Sequence, residues 1–204
     1  MSARESWPGE KPDVTDVDET DEEAGEAYGD DEDTGGDEPV AELRIAGHEG
    51  GELEIPDDVD ALEGEPRGTR RPVGIVVARA DVEVANRLLD SALAELERAG
   101  VGRDHVLVMA VPGAFELPIG AMALAKTRRY ACIVALGSAV GSAVVAGESA
   151  SGLQLAGLET GVPVAFGVLT DAGEDADGRG AEAVRHALEM ADLFQQLRVA
   201  AKTA

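Results

Sequence analysis

Four apolar runs constrain this chain more than any other feature: VGIVVA (73–78), VLVMAV (106–111), ACIVALG (131–137) and PVAFGVL (163–169). They are rich in β-branched residues and do not alternate with polar ones, as strands covered on both faces should not. Between them the period changes to that of helices. Asp81 is placed to cap a helix with the apolar stripe Val82, Ala85, Leu88, Leu89, Ala92, Leu93 and Leu96, and Gly100 closes it. A second helix is expected over about 115–127, carrying Ile119, Met122 and Leu124. A third is expected over about 148–159, ended by Gly161 and Pro163. The last, over about 179–199, sets Ala181, Val184, Leu188, Ala191 and Phe194 on one face. Strand–helix alternation through short connections predicts an α/β three-layer sandwich over residues 72–200, a four-stranded parallel sheet with helices on both faces.

The first third of the chain has a different composition. Residues 1–66 hold 25 Asp and Glu against 3 Lys and Arg, while the remainder holds 16 against 14, so the net charge of −24 belongs almost wholly to that segment. Residues 1–38 bury too little apolar area to offset the entropy of ordering, and a disordered acidic tail is expected. Its bland role is solubility; its sharper one is an electrostatic handle for a basic protein cargo, with Trp7 as a lone aromatic anchor. Within 39–71, Leu43, Ile45, Leu53 and Ile55 alternate around HEGG, a β-hairpin pattern that needs a sheet edge, on its own body or a neighbour's; His48 falls in the turn. Residues 56–71 read as a linker.

This charge distribution argues against nucleic acid as a partner, since the body offers no basic groove and the tail repels phosphate. Anionic membrane surfaces are disfavoured by the same sign, and no apolar run has the length of a membrane span. There is no signal-peptide core, and the single Cys132 excludes an internal disulfide, which together point to the cytoplasm.

Ligands of such sheets sit at the carboxyl ends of the strands, here the joints Ala78–Val82, Val111–Leu117, Gly137–Glu148 and Leu169–Arg179. The joints hold no Walker-type loop and no Cys/His metal spacing. GSAVGS (137–142) lacks the third glycine of a dinucleotide fingerprint, and GESAS (147–151) fails as a nucleophile elbow because Ser151 replaces glycine. His105 and His186 stand alone. VPGAFELP (111–118) is more specific. Pro112 and Gly113 break the strand, Pro118 fits the first turn of a helix, and the N–H groups from Ala114 to Glu116 are free to meet a ligand. On spacing alone Glu116 reads as a capping acid.

The segments GIVVAR (74–79), VPGAFELP (111–118), YACIVALG (130–137), ETGVPVAFGVLT (159–170) and EAVRHALEMADL (182–193), in this order, resemble the 6,7-dimethyl-8-ribityllumazine synthase family over almost all of 72–198. The resemblance implies condensation of 5-amino-6-(ribitylamino)uracil with 3,4-dihydroxy-2-butanone 4-phosphate in riboflavin biosynthesis, without a cofactor or metal. It implies homopentamers, often built into hollow shells, with each site between two subunits and an N-terminal strand joined to a neighbour's sheet. It implies that Ala114, Phe115 and Glu116 line the ribityl pocket, that Phe166 reaches the adjacent subunit's site, and that Arg179 stands where the family has a Lys.

Other positions depart from the family pattern. Ala80 and Asp81 replace the Phe and Asn that follow the matching arginine, so the stacking face for the pyrimidine is missing. The third joint, SAVGSAVVAG, is about five residues shorter than the family's and holds neither its His nor its Thr. The fourth, DAGEDADG, lacks the phosphate-binding Arg and adds Glu174, Asp175 and Asp177. The expectation is a catalytically degenerate relative, serving as an oligomeric scaffold or shell and keeping a site for a ribityl-pyrimidine or flavin-like ligand. An active synthase is the alternative.

Overall fold

A computed structural model describes residue 56 and residues 58–203. The acidic tail 1–38, Trp7, His48 and the 41–55 hairpin pattern lie outside these residues. The elements are β1 (Val73–Ala78), α1 (Val82–Arg98), a 3-10 turn (Arg103–His105), β2 (Val106–Val111), a second 3-10 turn (Ala114–Glu116), α2 (Leu117–Lys126), β3 (Cys132–Ser138), α3 (Ala143–Thr160), β4 (Val164–Leu169) and α4 (Ala176–Thr203). All strand pairs are parallel and the order is β2-β1-β3-β4. This is the predicted sandwich.

The strands sort their side chains by period two. Val73, Ile75 and Val77 of β1, with Cys132, Val134 and Leu136 of β3, pack beneath α1 and α4. Val76, Ala78, Ile133 and Ala135 face α2 and α3. β1 and the first six residues of β3 are buried, as the apolar runs require. β2 lies at the sheet edge and leaves Leu107 and Val108 exposed.

Helix boundaries follow local chemistry. Asp81 caps α1 as expected, its Oδ1 accepting from the Val84 N–H at 3.2 Å. Ser142 caps α3 by accepting from the Val145 N–H at 3.3 Å, so α3 starts at Ala143 and not near 148. Gly161, at φ 65°, ends it in the left-handed conformation. α4 is longer than expected at both ends, and the 115–127 helix is a 3-10 turn followed by α2. Two stripe assignments need correction: Val82 and Ile119 are solvent-exposed, the first on the opening turn of α1, the second on the face of α2 turned from the sheet.

The chain before β1 is fixed to α4. Arg71 ion-pairs with Asp192, donates to the Leu188 carbonyl at 3.2 Å and to Gln195 Oε1 at 3.0 Å. Asp192 also accepts from the Glu65 N–H (3.1 Å) and from Gln196 (2.8 Å). Burial alone would raise the Asp192 carboxyl, but these donors outweigh it and hold the group below its ordinary range. Residues 63–71 thus run along α4 under direct hydrogen-bond control.

Candidate functional site

All four strands point their carboxyl ends at one edge of the sheet. The Arg79 N–H donates to the Val111 carbonyl at 2.9 Å, and the Ala139 N–H to the Leu169 carbonyl at 2.8 Å, so the strand ends are tied in pairs. From β1 the chain leaves for α1 on one face, and from β3 for α3 on the other. The crevice between neighbouring strands whose helices part in this way is where doubly wound sheets receive ligands. Here it is narrow. A Cβ on Gly137 would stand 2.9 Å from Ala78 Cβ, so glycine is what lets β3 lie against β1 at this point.

Beyond β2 the chain makes the Ala114–Glu116 turn. Ala114 is buried and Phe115 exposed. The Glu116 carboxylate folds back, with Oε2 3.1 Å from where a Gly113 side chain would begin. The Glu116 N–H bonds the Gly113 carbonyl at 3.2 Å, which corrects the expectation that this amide is free. Among the described residues, no acceptor meets the N–H of Ala114 or Phe115. Pro118 occupies the first turn of α2 as expected. The turn is held from behind: fully buried Ser149 of α3 donates its Oγ to the Ala114 carbonyl at 2.6 Å. That gives the GESAS serine a positioning role and no nucleophilic one. Ser149→Ala leaves this buried carbonyl without its donor and is expected to cost about 1–3 kcal/mol. Chemical denaturation checks the loss, and a change in proteolytic cleavage near Phe115 checks that the turn is what loosens.

The third joint is only Ala139–Ser142, with no titratable side chain. Ala80 and Asp81 are both exposed, and the Asp81 carboxylate is committed to capping α1.

At the fourth joint the predicted acids are tightly organised. Glu174 Oε1 accepts from the Thr170 N–H (2.9 Å), the Thr170 hydroxyl (2.7 Å) and the Asp171 N–H (3.0 Å). Its Oε2 accepts from Arg179 at 2.7 Å. The Thr170 hydroxyl first, then the Arg179 guanidinium, pull the Glu174 carboxyl down to about 2. Arg179 meets a second carboxylate, Glu182, at 3.1 Å. The arginine picked from sequence is therefore paired within the chain.

Phe166 is not brought to the Ala114–Glu116 turn. It lies in the middle of β4, partly buried against the α2–α3 layer. β4 and β2 are opposite edges of the sheet, three strand spacings or roughly 14 Å apart. Ser149 and the Glu174–Arg179 pair escaped the sequence reasoning. For Glu174 a local signal existed, a threonine four residues before a glutamate at a strand end.

Among the described residues, no group of three or more His, Cys, Asp or Glu is placed to hold a metal. Cys132 is buried and its thiol is pushed up to about 12 by that burial, which leaves it without nucleophilic character. No described helix is long and apolar enough to cross a membrane.

A family model for 6,7-dimethyl-8-ribityllumazine synthase matches residues 71–195. Proteins named 6,7-dimethyl-8-ribityllumazine synthase from Yersinia pestis (strain Pestoides F) and Yersinia pseudotuberculosis serotype O:1b (strain IP 31758) are each 39% identical to this chain, across 69% of it and 99% of their own length.

Proposed function

The chain belongs to the 6,7-dimethyl-8-ribityllumazine synthase family, and we propose that it keeps the family's fold and assembly while lacking its turnover. The observation that carries this reading is the four-residue connection Ala139–Ser142 between β3 and α3. A condensation that expels phosphate and water needs a group to carry protons and a fixed positive site for the leaving anion. Alanine, valine, glycine and serine supply no proton carrier near neutral pH and no cation. The paired state of Arg179 and the methyl of Ala80 in place of an aromatic face support the same conclusion.

What remains is a scaffold. Phe115, Ile119, Val144, Leu155 and Leu158 are exposed along α2, α3 and the turn before them, an apolar surface that favours burial between copies of the chain as a homopentamer or a shell of pentamers. The separation of Phe166 from Glu116 supports a site shared by two subunits, holding a ribityl-pyrimidine or flavin-like ligand. The acidic N-terminal segment then serves as a handle for a basic protein cargo, screened at high salt. A cytoplasmic setting fits the lone buried Cys132. The alternative, an active synthase, is favoured by the name and the near-complete coverage of the Yersinia relatives.

The test is growth. In a riboflavin-requiring bacterium stripped of its own lumazine synthase, this protein is expected to be expressed, to sediment as an oligomer and to give no rescue, while a complete family member restores growth. Rescue contradicts the proposal on turnover, and a stable monomer contradicts it on assembly.

A further inference from the structure

The two edges of the sheet carry opposite charge. The connections that leave the strands at their carboxyl ends (79–81, 112–116, 139–142 and 170–175) hold five Asp and Glu against one Arg. Those that enter at the amino ends (67–72, 99–105, 127–131 and 161–163) hold six Arg against one acid, Asp104. Three of these arginines are neutralised locally: Arg71 pairs with Asp192, Arg67 with Glu65 and Arg103 with Glu97. Arg70, Arg128, Arg129 and Lys126, the last residue of α2, are exposed, and among the described residues none of the four has an acidic partner. The connections before β1 and β3 lie side by side, the Ala131 N–H donating to the Pro72 carbonyl at 2.8 Å, so these cations share one surface. They also share a motif. Thr69-Arg70-Arg71 repeats as Thr127-Arg128-Arg129, and the middle arginine of each is left-handed, at φ 61° and 57°. Among the described residues no other non-glycine residue has a positive φ. Glycine or asparagine takes that conformation with less strain, so it is the side chain, and not the turn, that accounts for arginine at both positions.

We propose that this amino edge is a docking surface for an acidic polypeptide, and that its occupant is the N-terminal segment, residues 1–38, of a second copy of this chain. Charge selects the occupant, since that segment holds 16 Asp and Glu against 2 Lys and Arg and a cluster of unpaired cations attracts such a density of anions. Place selects it too. The chain reaches β1 through this edge, where the Gly68 N–H bonds the Ala99 carbonyl at 2.8 Å, so in every copy the acidic sequence is continuous with a basic edge. A second copy is favoured over the same one because the lead-in at Glu63 and Glu65 is hydrogen-bonded to α4, in the layer across the sheet from α2 and Lys126. Nucleic acid fits the sign of the edge but not that of the chain, whose net charge of −24 repels it. The proposal does not rest on the absence of turnover, and it gives any basic cargo a competitor for the segment.

The test is carbodiimide cross-linking of the full-length protein, which joins an amine to a carboxylate in contact with it. The chain has three lysines, Lys11, Lys126 and Lys202, so the links are few enough to map by mass spectrometry. At low salt a covalent dimer is expected on a denaturing gel, with Lys126 joined to an Asp or Glu of residues 1–38. Raising the salt to about 0.5 M is expected to lower the yield of that link at least about fivefold. Arg70→Gly combined with Arg128→Gly is expected to do the same at low salt. Glycine relieves both left-handed positions, so the lost link does not report a lost fold, and circular dichroism checks this. Lys126→Gln is expected to remove the dimer that carries the link. The proposal is overturned if Lys126 links to no residue of 1–38, if that link is found only in the single-chain band, or if the double glycine variant leaves its yield unchanged. Co-purifying nucleic acid that the same two substitutions release would overturn it in favour of a phosphate backbone. Turnover is read separately, so the two accounts fail independently.

Discussion

Gly180→Ala destabilises this protein, although it puts the best helix former inside a helix. Gly180 is the fifth residue of α4, where propensity alone predicts a gain of about 1 kcal/mol. Packing predicts the opposite sign. A Cβ at this position would stand 2.4 Å from the Leu88 carbonyl oxygen and 3.1 Å from Ser91 Cβ. The first contact is with the backbone of α1, which cannot rotate aside as a side-chain tip does. α1 and α4 must part, and the layer that buries Leu88, Val184 and Leu188 opens with them. A net loss of about 1–3 kcal/mol follows, read as a lower denaturation midpoint with an unchanged slope. Gly178→Ala is the control. Its methyl would meet only the Asp175 side chain, nearest at Oδ2, 2.7 Å, and no backbone. Shifting that carboxylate loosens its bonds to the Asp177 and Gly178 amides, which offsets the propensity gain, so the change is expected to be about neutral. Equal gains from both substitutions would mean that propensity governs and that the α1–α4 contact is looser than described.

β1 and β3 were the most legible part of the sequence, because burial on both faces leaves no choice but continuous apolar runs; β2 carries such a run too, although as an edge strand it leaves Leu107 and Val108 exposed. β1 and β2 fall on the residues read from sequence; β4 begins one residue late, after Pro163, which has no amide to donate. The start of α3 was obscure because Ala143–Gly147 carries no polar face to set a period, and its one signal, Ser142 as cap, is a single hydroxyl. Val82 and Ile119 fitted an apolar stripe by spacing, yet the first lies on an opening turn and the second faces away from the sheet. Within the site, the Ala114–Glu116 turn was foreseeable from Pro112, Gly113 and Pro118. What holds it was not, since Ser149 and Ala114 are 35 residues apart and only the packing of α3 brings them together. In the sequence Glu174 stands out only as one of three acids added at the fourth joint. Its union with Arg179 depends on how the chain folds back between β4 and α4, which charge counting does not reveal.

No lumazine above the spontaneous background is the second large effect expected, and it follows from what each joint lacks. The third joint has no group to move a proton. At the fourth, the Arg179 guanidinium is shared between the Glu174 and Glu182 carboxylates. At the first, Ala80 gives no face on which to fix the pyrimidine. Proton transfer by a placed side chain contributes roughly a hundredfold to ten-thousandfold, and a preorganised charge site roughly a hundredfold to a thousandfold more. The direct measurement is a turnover assay on the purified, assembled protein with both family substrates, following lumazine absorbance and fluorescence beside a complete family member. The account predicts a rate equal to the reaction without protein. A rate well above it, linear in protein concentration and reduced by Glu116→Ala, would contradict the account and make this chain a working synthase with a rebuilt site.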